Sequence, residues 1–127
     1  ARTRNRVKDR AYSRIYKVLN WQKTLVTGCK KRAKEKKIQF DLTEEDINKI
    51  FKKQNGKCYW FNTKLEYLDK KKHLSKTSVD RLDNSRGYVK NNIVLVSYFS
   101  NIARSGTKLD IWKQTTKKII KALKNNE

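Results

Sequence analysis

Apolar residues recur at helical spacing near the start of the chain and predict an amphipathic helix. The stripe consists of Val7, Ala11, Ile15, Val18, Leu19 and Val26. Gly28 lies just beyond the stripe and is the predicted end of the helix. We expect the stripe to pack on the core and the basic residues before it to be disordered without a partner.

A second helix is predicted from residue 44 by the signals at its two ends. Thr43 and Asp46 have the spacing of a capping box, and the intervening acids suit the positive end of the helix dipole. We therefore expect these acids to cap the helix rather than to act in catalysis. The residues predicted to form its buried face are Ile47, Ile50 and Phe51. Asn55-Gly56 is the predicted stop signal.

Short apolar runs separated by turn-forming residues predict strands in the second half of the chain. Asn62-Thr63 is the expected turn of a hairpin. Residues 77–82 and 88–95 are two further predicted strands, and the segment 83–87 between them is rich in turn formers. A strand, a turn and a second strand are thus expected within about 20 residues.

Two helices are predicted after these strands. A short one is expected over residues 96–104, ending near Ser105-Gly106. Thr107 and Asp110 have the spacing of another capping box before the last helix. The residues that this last helix is expected to bury are Trp112, Ile119, Ile120 and Leu123.

The charge of the chain indicates a polyanionic partner. Lys and Arg number 33 against 12 Asp and Glu, which gives a net charge of +21. The positive side chains repel one another in the compact state. Nucleic acid is the first candidate for a partner that neutralises them, ahead of an anionic membrane surface. No apolar run is long enough for a bilayer span and no signal-peptide pattern is visible, so we expect an intracellular protein without a membrane partner. Cys29 and Cys58 are expected to be free thiols.

The length and the uneven charge suggest one domain with a basic extension. Residues 1–40 carry 14 basic and 2 acidic side chains and are predicted to form a basic arm and helix. Residues 41–127 are predicted to form the compact domain, including the C-terminal helix. The residues expected to contact nucleic acid are Arg2, Arg4, Arg6, Arg10, Lys30, Lys31, Arg32, Arg86 and Arg104.

Oxygen ligands are placed on two neighbouring elements of the predicted strand, turn, strand and helix. Asp80 lies at the end of the first strand and Asn101 lies within the helix. When the helix folds across the hairpin, the two side chains can converge on one cation. Two protein oxygens suit Mg²⁺ or Mn²⁺, which keep several waters and accept phosphate oxygens. Arg81 is the predicted phosphate ligand, and Asn92 is expected to brace the turn by side-chain to backbone hydrogen bonds.

This arrangement resembles the HNH (ββα-metal) endonucleases. The matching residues are Asp80-Arg81, Asn92 and Asn101, and Gly87-Tyr88 and Arg104 belong to the same ordered pattern. Upstream segments that look like phage-encoded members are Lys31-Arg-Ala-Lys, Phe40-Asp-Leu-Thr and Asn55-Gly-Lys-Cys58. The resemblance implies an α+β fold, with a ββα-metal core flanked by basic helices and a single divalent ion held by Asp80 and Asn101.

Many members of this family bind a structural zinc through two Cys-x-x-Cys knuckles. The corresponding positions here are Cys58, Phe61, Ser97 and Ser100, so three of the four ligands are missing. We therefore expect no structural zinc. Aromatic packing is expected in its place, around Tyr59, Trp60, Phe61, Tyr98 and Phe99.

A second departure concerns the general base. The family usually has histidine where Arg81 stands, and an arginine cannot deprotonate water at neutral pH. His73 is the only histidine and the first alternative, because its pKa range suits a base. The other candidates are Tyr59, Tyr67 and Tyr88. The absence of any base is also left open.

The resemblance implies a homing- or restriction-type nuclease of phage or mobile-element origin that hydrolyses double-stranded DNA to 3′-hydroxyl and 5′-phosphate ends. The alternative is a non-catalytic basic nucleic-acid-binding protein. The positive charge of the chain is compatible with both the nuclease and the non-catalytic binder. The carboxylate of Asp80 favours the nuclease, because a pure binder gains nothing from an acid among phosphates.

Overall fold

The computed structural model describes residues 2–67 and 73–126, and it describes side chains from residue 9 onward. Within these residues the fold mixes helices with two small sheets, as expected for an α+β protein. The helices are α1 (Arg2–Leu19), α2 (Trp21–Lys36), α3 (Glu44–Lys53), α4 (Tyr98–Arg104) and α5 (Leu109–Asn125). The strands are β1 (Phe40–Asp41), β2 (Thr77–Arg81), β3 (Tyr88–Val89) and β4 (Ile93–Ser97).

The N-terminal region forms two helices, not the single one expected. Helix α1 already begins at Arg2, so the prediction of a disordered start is wrong, and the break comes at Asn20. Gly28 does not end a helix but lies inside α2. The reason is tertiary: Cys29 and Ala33, just after Gly28, are completely buried in the core, and their burial outweighs the low helix propensity of one glycine.

The apolar side of α1 is not packed on the core as expected. Tyr12 and Leu19 are 71% and 74% exposed, and Ile15 is 59% exposed. Helix α1 has its main contacts with α2 alone, so the core does not cover these side chains of α1. Val26, the last residue of the stripe, lies in α2 and does pack against the core. Sequence periodicity shows that a helix has an apolar side, but only the packing decides whether that side is covered.

Helix α2 precedes the predicted domain boundary at residue 40, but it packs on elements that lie on both sides of that residue. This helix contacts α3 and strands β1, β2 and β3, and its buried residues belong to the same core as the strands. Helix α2 and the strands therefore share one core. The core residues are Cys29, Ala33, Leu42, Ile47, Cys58, Leu65, Val79, Tyr88, Ile93, Val94, Leu95 and Val96.

Helix α3 confirms the predicted capping box. The backbone N–H of Asp46 donates to Thr43 Oγ1 at 3.1 Å, and the backbone N–H of Thr43 donates to Asp46 Oδ2 at 3.0 Å. Ile47 is buried against the core. The helix ends before Asn55 and Gly56, which both adopt the left-handed conformation that the predicted stop signal requires.

The central hairpin is built from β2 and β4, which pair in antiparallel register from Thr77 opposite Ser97 to Arg81 opposite Ile93. The second predicted strand is interrupted. Its first two residues form β3 and pair in parallel with β1 instead, and the chain turns before β4 begins. Helix α4 follows β4 directly and lies against both strands of the hairpin.

Gly87 is required where β1 and β3 approach each other, because a Cβ atom there would lie 2.2 Å from the carbonyl oxygen of Gln39. We expect Gly87→Ala to lower the free energy of unfolding by about 2 kcal/mol or more, since the backbones must separate. The matched control is Gly28→Ala, where the atom nearest to the added methyl is a side-chain nitrogen, Arg32 Nη1 at 3.2 Å, and not the backbone. That variant should be unchanged or stabilised by up to about 1 kcal/mol. Urea unfolding of both variants measures the difference, and equal effects would contradict it.

Helix α5 differs from its prediction at both ends. It begins at Leu109 after Lys108, and no side chain caps it, so the expected capping box is absent. Trp112 is buried as predicted, but Ile119, Ile120 and Leu123 are 52%, 40% and 60% exposed because this half of the helix extends beyond the core.

Among the described residues, no helix has the length and apolarity needed to cross a bilayer.

Candidate metal centre and nucleic-acid interface

The two predicted metal ligands lie on facing surfaces of β2 and α4. Ser78 and Asp80 share one face of β2, because alternate residues of a strand point the same way. Asn101 and Arg104 are neighbours on α4, being three residues apart. Asn101 contacts Ser78 and Arg104 contacts Asp80, so the strand and helix are aligned through these two pairs.

Asp80 is nearly enclosed, at 7% exposure, and one of its carboxylate oxygens is fully engaged. Its Oδ2 accepts a hydrogen bond from Arg104 Nη1 at 2.9 Å and another from Trp60 Nε1 at 3.0 Å. Within the described part of the chain, no hydrogen bond is made to the other oxygen, Oδ1. The carboxylate is therefore held in a fixed orientation with one oxygen left for a ligand.

Asn101 is oriented in a comparable way. Its Nδ2 donates to the Ser78 hydroxyl oxygen at 2.7 Å, and its Oδ1 accepts no hydrogen bond from the described residues. Asp80 and Asn101 thus each present one unused oxygen, a carboxylate and an amide carbonyl. This donor set fits Mg²⁺ or Mn²⁺, which bind through one or two protein oxygens and fill the remaining positions with water and phosphate.

Arg104 does not lie where a nucleic-acid contact is made, and that prediction is corrected. It is 1% exposed, and its guanidinium is enclosed by acceptors of the protein itself. Besides Asp80, these are the backbone carbonyls of Arg81, Leu82 and Thr107, at 2.7 to 3.0 Å. Arg104 therefore ties α4 to the end of β2.

Trp60 is a site residue that sequence reasoning missed. It contacts Asp80 through its indole N–H, and the Arg104 guanidinium lies over its ring at 5.7 Å. Its ring also meets Trp112 edge-on at 6.0 Å. The available signal was general: a half-buried tryptophan needs an acceptor for its N–H, and the chain has few acids to supply one.

Arg81 lies on the other face of β2 from Asp80, as its neighbouring position in the strand requires. Its Nη1 donates to the carbonyls of Asn84 and Arg86 at 3.0 and 2.9 Å, and its guanidinium lies 5.2 Å from the ring of Tyr88. Arg81 therefore closes the turn after β2. Among the described residues, its Nε and Nη2 have no hydrogen-bond acceptor.

His73 is not brought to Asp80, so its assignment as a base for this ion is not supported. The adjacent Leu74 accepts a hydrogen bond from the backbone N–H of Phe99, which places this segment at the start of α4. Asp80 lies beside the far end of α4, about 10 Å along β2 from Thr77. His73 Nδ1 instead accepts from the backbone N–H of Ser75 at 3.3 Å.

The three tyrosine candidates for a base also lie away from Asp80. Tyr88 is buried between the guanidinium groups of Arg32 and Arg81, and Arg32 Nε donates to its hydroxyl at 3.2 Å. Tyr67 stacks on Trp21. Tyr59 is half-exposed and packs edge-on against Trp60, which in turn bonds Asp80. Of the three tyrosines, Tyr59 alone is connected to Asp80 through one intervening side chain.

Asn92 confirms its predicted role as the brace of the turn. It is 1% exposed, and its side chain bonds both backbone groups of Asp83 at 3.0 Å. It also donates to the carbonyl of Gly87 at 3.0 Å. These bonds join the two ends of the segment between β2 and β4, so the end of β2, where Asp80 and Arg81 lie, is fixed relative to β4.

Three of the four positions at which zinc ligands were considered, Cys58, Ser97 and Ser100, are buried and lie close together. Cys58 Sγ lies 3.2 Å from Ser100 Oγ, which is 2.8 Å from Ser97 Oγ. Burial alone would raise the pKa of the Cys58 thiol. Hydrogen bonds from Ser100 and from the backbone amides of Ser97, Phe61 and Trp60 outweigh that effect and lower the pKa below its ordinary value. Both cysteines are free and buried, as predicted.

The remaining predicted nucleic-acid contacts are mostly on the surface. Arg10, Lys30 and Lys31 are exposed on α1 and α2. Arg86 is exposed in the turn after β2, where it donates to Asn91 Oδ1 at 3.2 Å. Arg32 is exposed but also bonds Tyr88. The other three predicted contacts are made by side chains that the structure does not describe, those of Arg2, Arg4 and Arg6.

No protein-family model matches the sequence. The comparisons with curated proteins and with solved structures likewise find no significant match. The candidate site therefore stands on its own geometry and chemistry.

Proposed function

We propose that the protein is a metal-dependent endonuclease of the HNH type that hydrolyses phosphodiester bonds in double-stranded DNA. One observation carries the proposal: Asp80 and Asn101, on facing surfaces of β2 and α4, each keep one oxygen free while the rest of the side chain is fixed. A very basic protein supplies the attraction for DNA. A carboxylate attracts a cation but repels the phosphates of DNA, so Asp80 is better suited to binding a metal ion than to binding DNA directly.

Each site residue has a distinct role in this proposal. Asp80 and Asn101 would hold one Mg²⁺ or Mn²⁺ through their unused oxygens, and Asn92 keeps the end of β2 in place. When bound, the divalent ion polarises the phosphodiester and stabilises charge on the leaving oxygen. Arg81 binds a backbone phosphate through its two unused donors, Nε and Nη2, which form the edge that suits a phosphate.

The alternative is a DNA-binding protein without catalytic activity. The surroundings of Asp80 favour this alternative because none of the candidate general bases contacts Asp80 directly. His73 lies near the other end of β2, Arg81 points away, and Tyr88 is enclosed by two arginines. Tyr59 remains the only one of the named candidates with an indirect contact to Asp80. A site with an ion but no efficient base binds DNA and cuts it slowly.

Incubation with supercoiled plasmid separates the two functions. The nuclease predicts nicked or linear DNA in Mg²⁺ or Mn²⁺ and intact plasmid in EDTA. Gel retardation under the same conditions measures binding without cleavage. Tight binding with intact plasmid in both metals would favour the alternative.

A designed zinc site tests the ββα-metal core. The variant Phe61→Cys/Ser97→Cys/Ser100→Cys adds three thiols to Cys58, whose Sγ already lies within hydrogen-bond distance of Ser100 and of the Ser97 and Phe61 amides. We expect it to bind one Zn²⁺ or Co²⁺, because tetrahedral Zn–S bonds of about 2.3 Å need ligands this close.

The visible absorption of a Co²⁺–thiolate centre measures this binding. The matched control adds Cys58→Ser to the same variant and should bind at least about tenfold more weakly, having lost one of four ligands. A folded triple variant that binds no stoichiometric metal would argue against the proposed core.

A further inference from the structure

The candidate ion site has an unusual charge balance. Among residues 2–67 and 73–126, Asp80 is the one carboxylate bonded to Arg104 or Trp60, and no group of three or more His, Cys, Asp or Glu residues is found together. The carboxylate is already paired with Arg104 at 2.9 Å, and the two side chains are 8% and 1% exposed. Asn101 is neutral. Asp80, Arg104 and Asn101 therefore sum to zero charge in a chain of net charge +21.

Arg104 is not free to leave when a cation arrives. Its Nε donates to the Thr107 carbonyl, and its two terminal nitrogens donate to the carbonyls of Arg81 and Leu82. Its guanidinium also lies over the Trp60 ring. Moving it would leave several buried backbone acceptors without donors, which is costly. A divalent ion on Asp80 Oδ1 thus meets a fixed positive charge next to the carboxylate that binds it.

Resting on the proposed function, we infer that Arg104 is a positioning residue that makes ion binding depend on DNA. It holds Asp80 Oδ2, together with Trp60, and cancels most of the attraction that the carboxylate offers a free cation. A phosphate of bound DNA supplies the missing negative charge and further oxygen ligands. The ion and the phosphate consequently enter the site together, and each raises the affinity for the other by the same factor.

Electron paramagnetic resonance of free Mn²⁺ measures this coupling without any cleavage step. Mn²⁺ is titrated into the protein alone, into a short DNA duplex alone and into the complex, and Asp80→Asn protein corrects for Mn²⁺ bound by DNA. We expect the Asp80-dependent Mn²⁺ affinity to rise at least about tenfold when the duplex is present. Equal affinity with and without the duplex would overturn the inference while leaving the nuclease proposal intact. No Asp80-dependent Mn²⁺ binding in either state would overturn both.

Two variants connect the coupling to the residues that hold Oδ2. Arg104→Met removes the competing charge, so the Mn²⁺ affinity of the free protein should rise by about tenfold and the effect of the duplex should shrink accordingly. Trp60→Phe keeps the ring but removes one donor from Oδ2, so a smaller rise of about twofold to fivefold is expected. Trp60→Phe also supplies a result if Arg104→Met fails to fold. A purely structural role would leave the Mn²⁺ affinity of folded variants unchanged, and that outcome would contradict the inference.

Discussion

Replacing Asp80 with asparagine is expected to lower metal-dependent plasmid cleavage by about a hundredfold or more. The substitution preserves the size of the side chain and an oxygen that accepts from Trp60 or Arg104, but it removes the negative charge that Asp80 brings to the candidate ion site. Asn101→Ala should have a similar effect, because it deletes the second free oxygen without disturbing the buried ion pair. Initial rates of supercoiled-plasmid loss in Mg²⁺ measure both.

Asp83→Asn is the matched control for this experiment. Asp83 has the same charge and lies three residues away, but it is exposed and its carboxylate accepts from the backbone and hydroxyl of Ser85 instead. We expect its cleavage rate to stay within about twofold of the parent, since exposed groups outside a site contribute little to it. Higher Mn²⁺ should partly restore Asn101→Ala, which retains the carboxylate. Full activity of Asp80→Asn would exclude this residue as the ion ligand.

Replacing Arg104 with methionine is expected to lower the free energy of unfolding by about 3–5 kcal/mol. The change leaves the buried Asp80 carboxylate without its ion partner and leaves the carbonyls of Arg81 and Leu82 without their donor. For a domain of this size the loss corresponds to a fall in Tm of roughly 10 °C or more. Urea unfolding and a thermal melt followed by circular dichroism measure the two quantities.

Arg86→Met is the control for the loss of one positive charge. Arg86 is exposed and its side chain bonds only Asn91, so its replacement should change the stability by no more than about 0.5 kcal/mol. The double variant Asp80→Leu/Arg104→Met should cost less than the two single changes added together, because neither charge is then buried alone. Additive effects would show that the ion pair is not what makes Arg104 important.

Local signals in the sequence predicted those parts of the fold that depend on neighbours in the chain. The Thr43 and Asp46 capping box, the stop at Asn55-Gly56 and the bracing role of Asn92 are confirmed. Each relies on hydrogen bonds that close within about ten residues. The pairing of β3 with β1 was not predicted, because it joins segments nearly fifty residues apart and carries no local signal.

The sequence suggested which residues could be ligands of the candidate site, but it did not predict their surroundings. Asp80 and Asn101 are oxygen-bearing residues at a suggestive spacing, and the structure brings them to facing surfaces. The spacing says nothing about Trp60, which reaches Asp80 from a segment twenty residues earlier. Nor does it show that His73 lies by the start of β2 and α4, whereas Asp80 lies by their far ends.

The sequence by itself determined the net charge, the local helix and turn signals, and the residue types available for an ion. These depend on composition and on contacts between near neighbours, which any folded form must contain. Tertiary structure alone decided that Arg104 is buried against Asp80, that one oxygen of the carboxylate stays free, and that the apolar sides of α1 and the end of α5 are uncovered. Burial depends on which distant segment lies opposite a side chain, and a pattern of residues does not specify that segment.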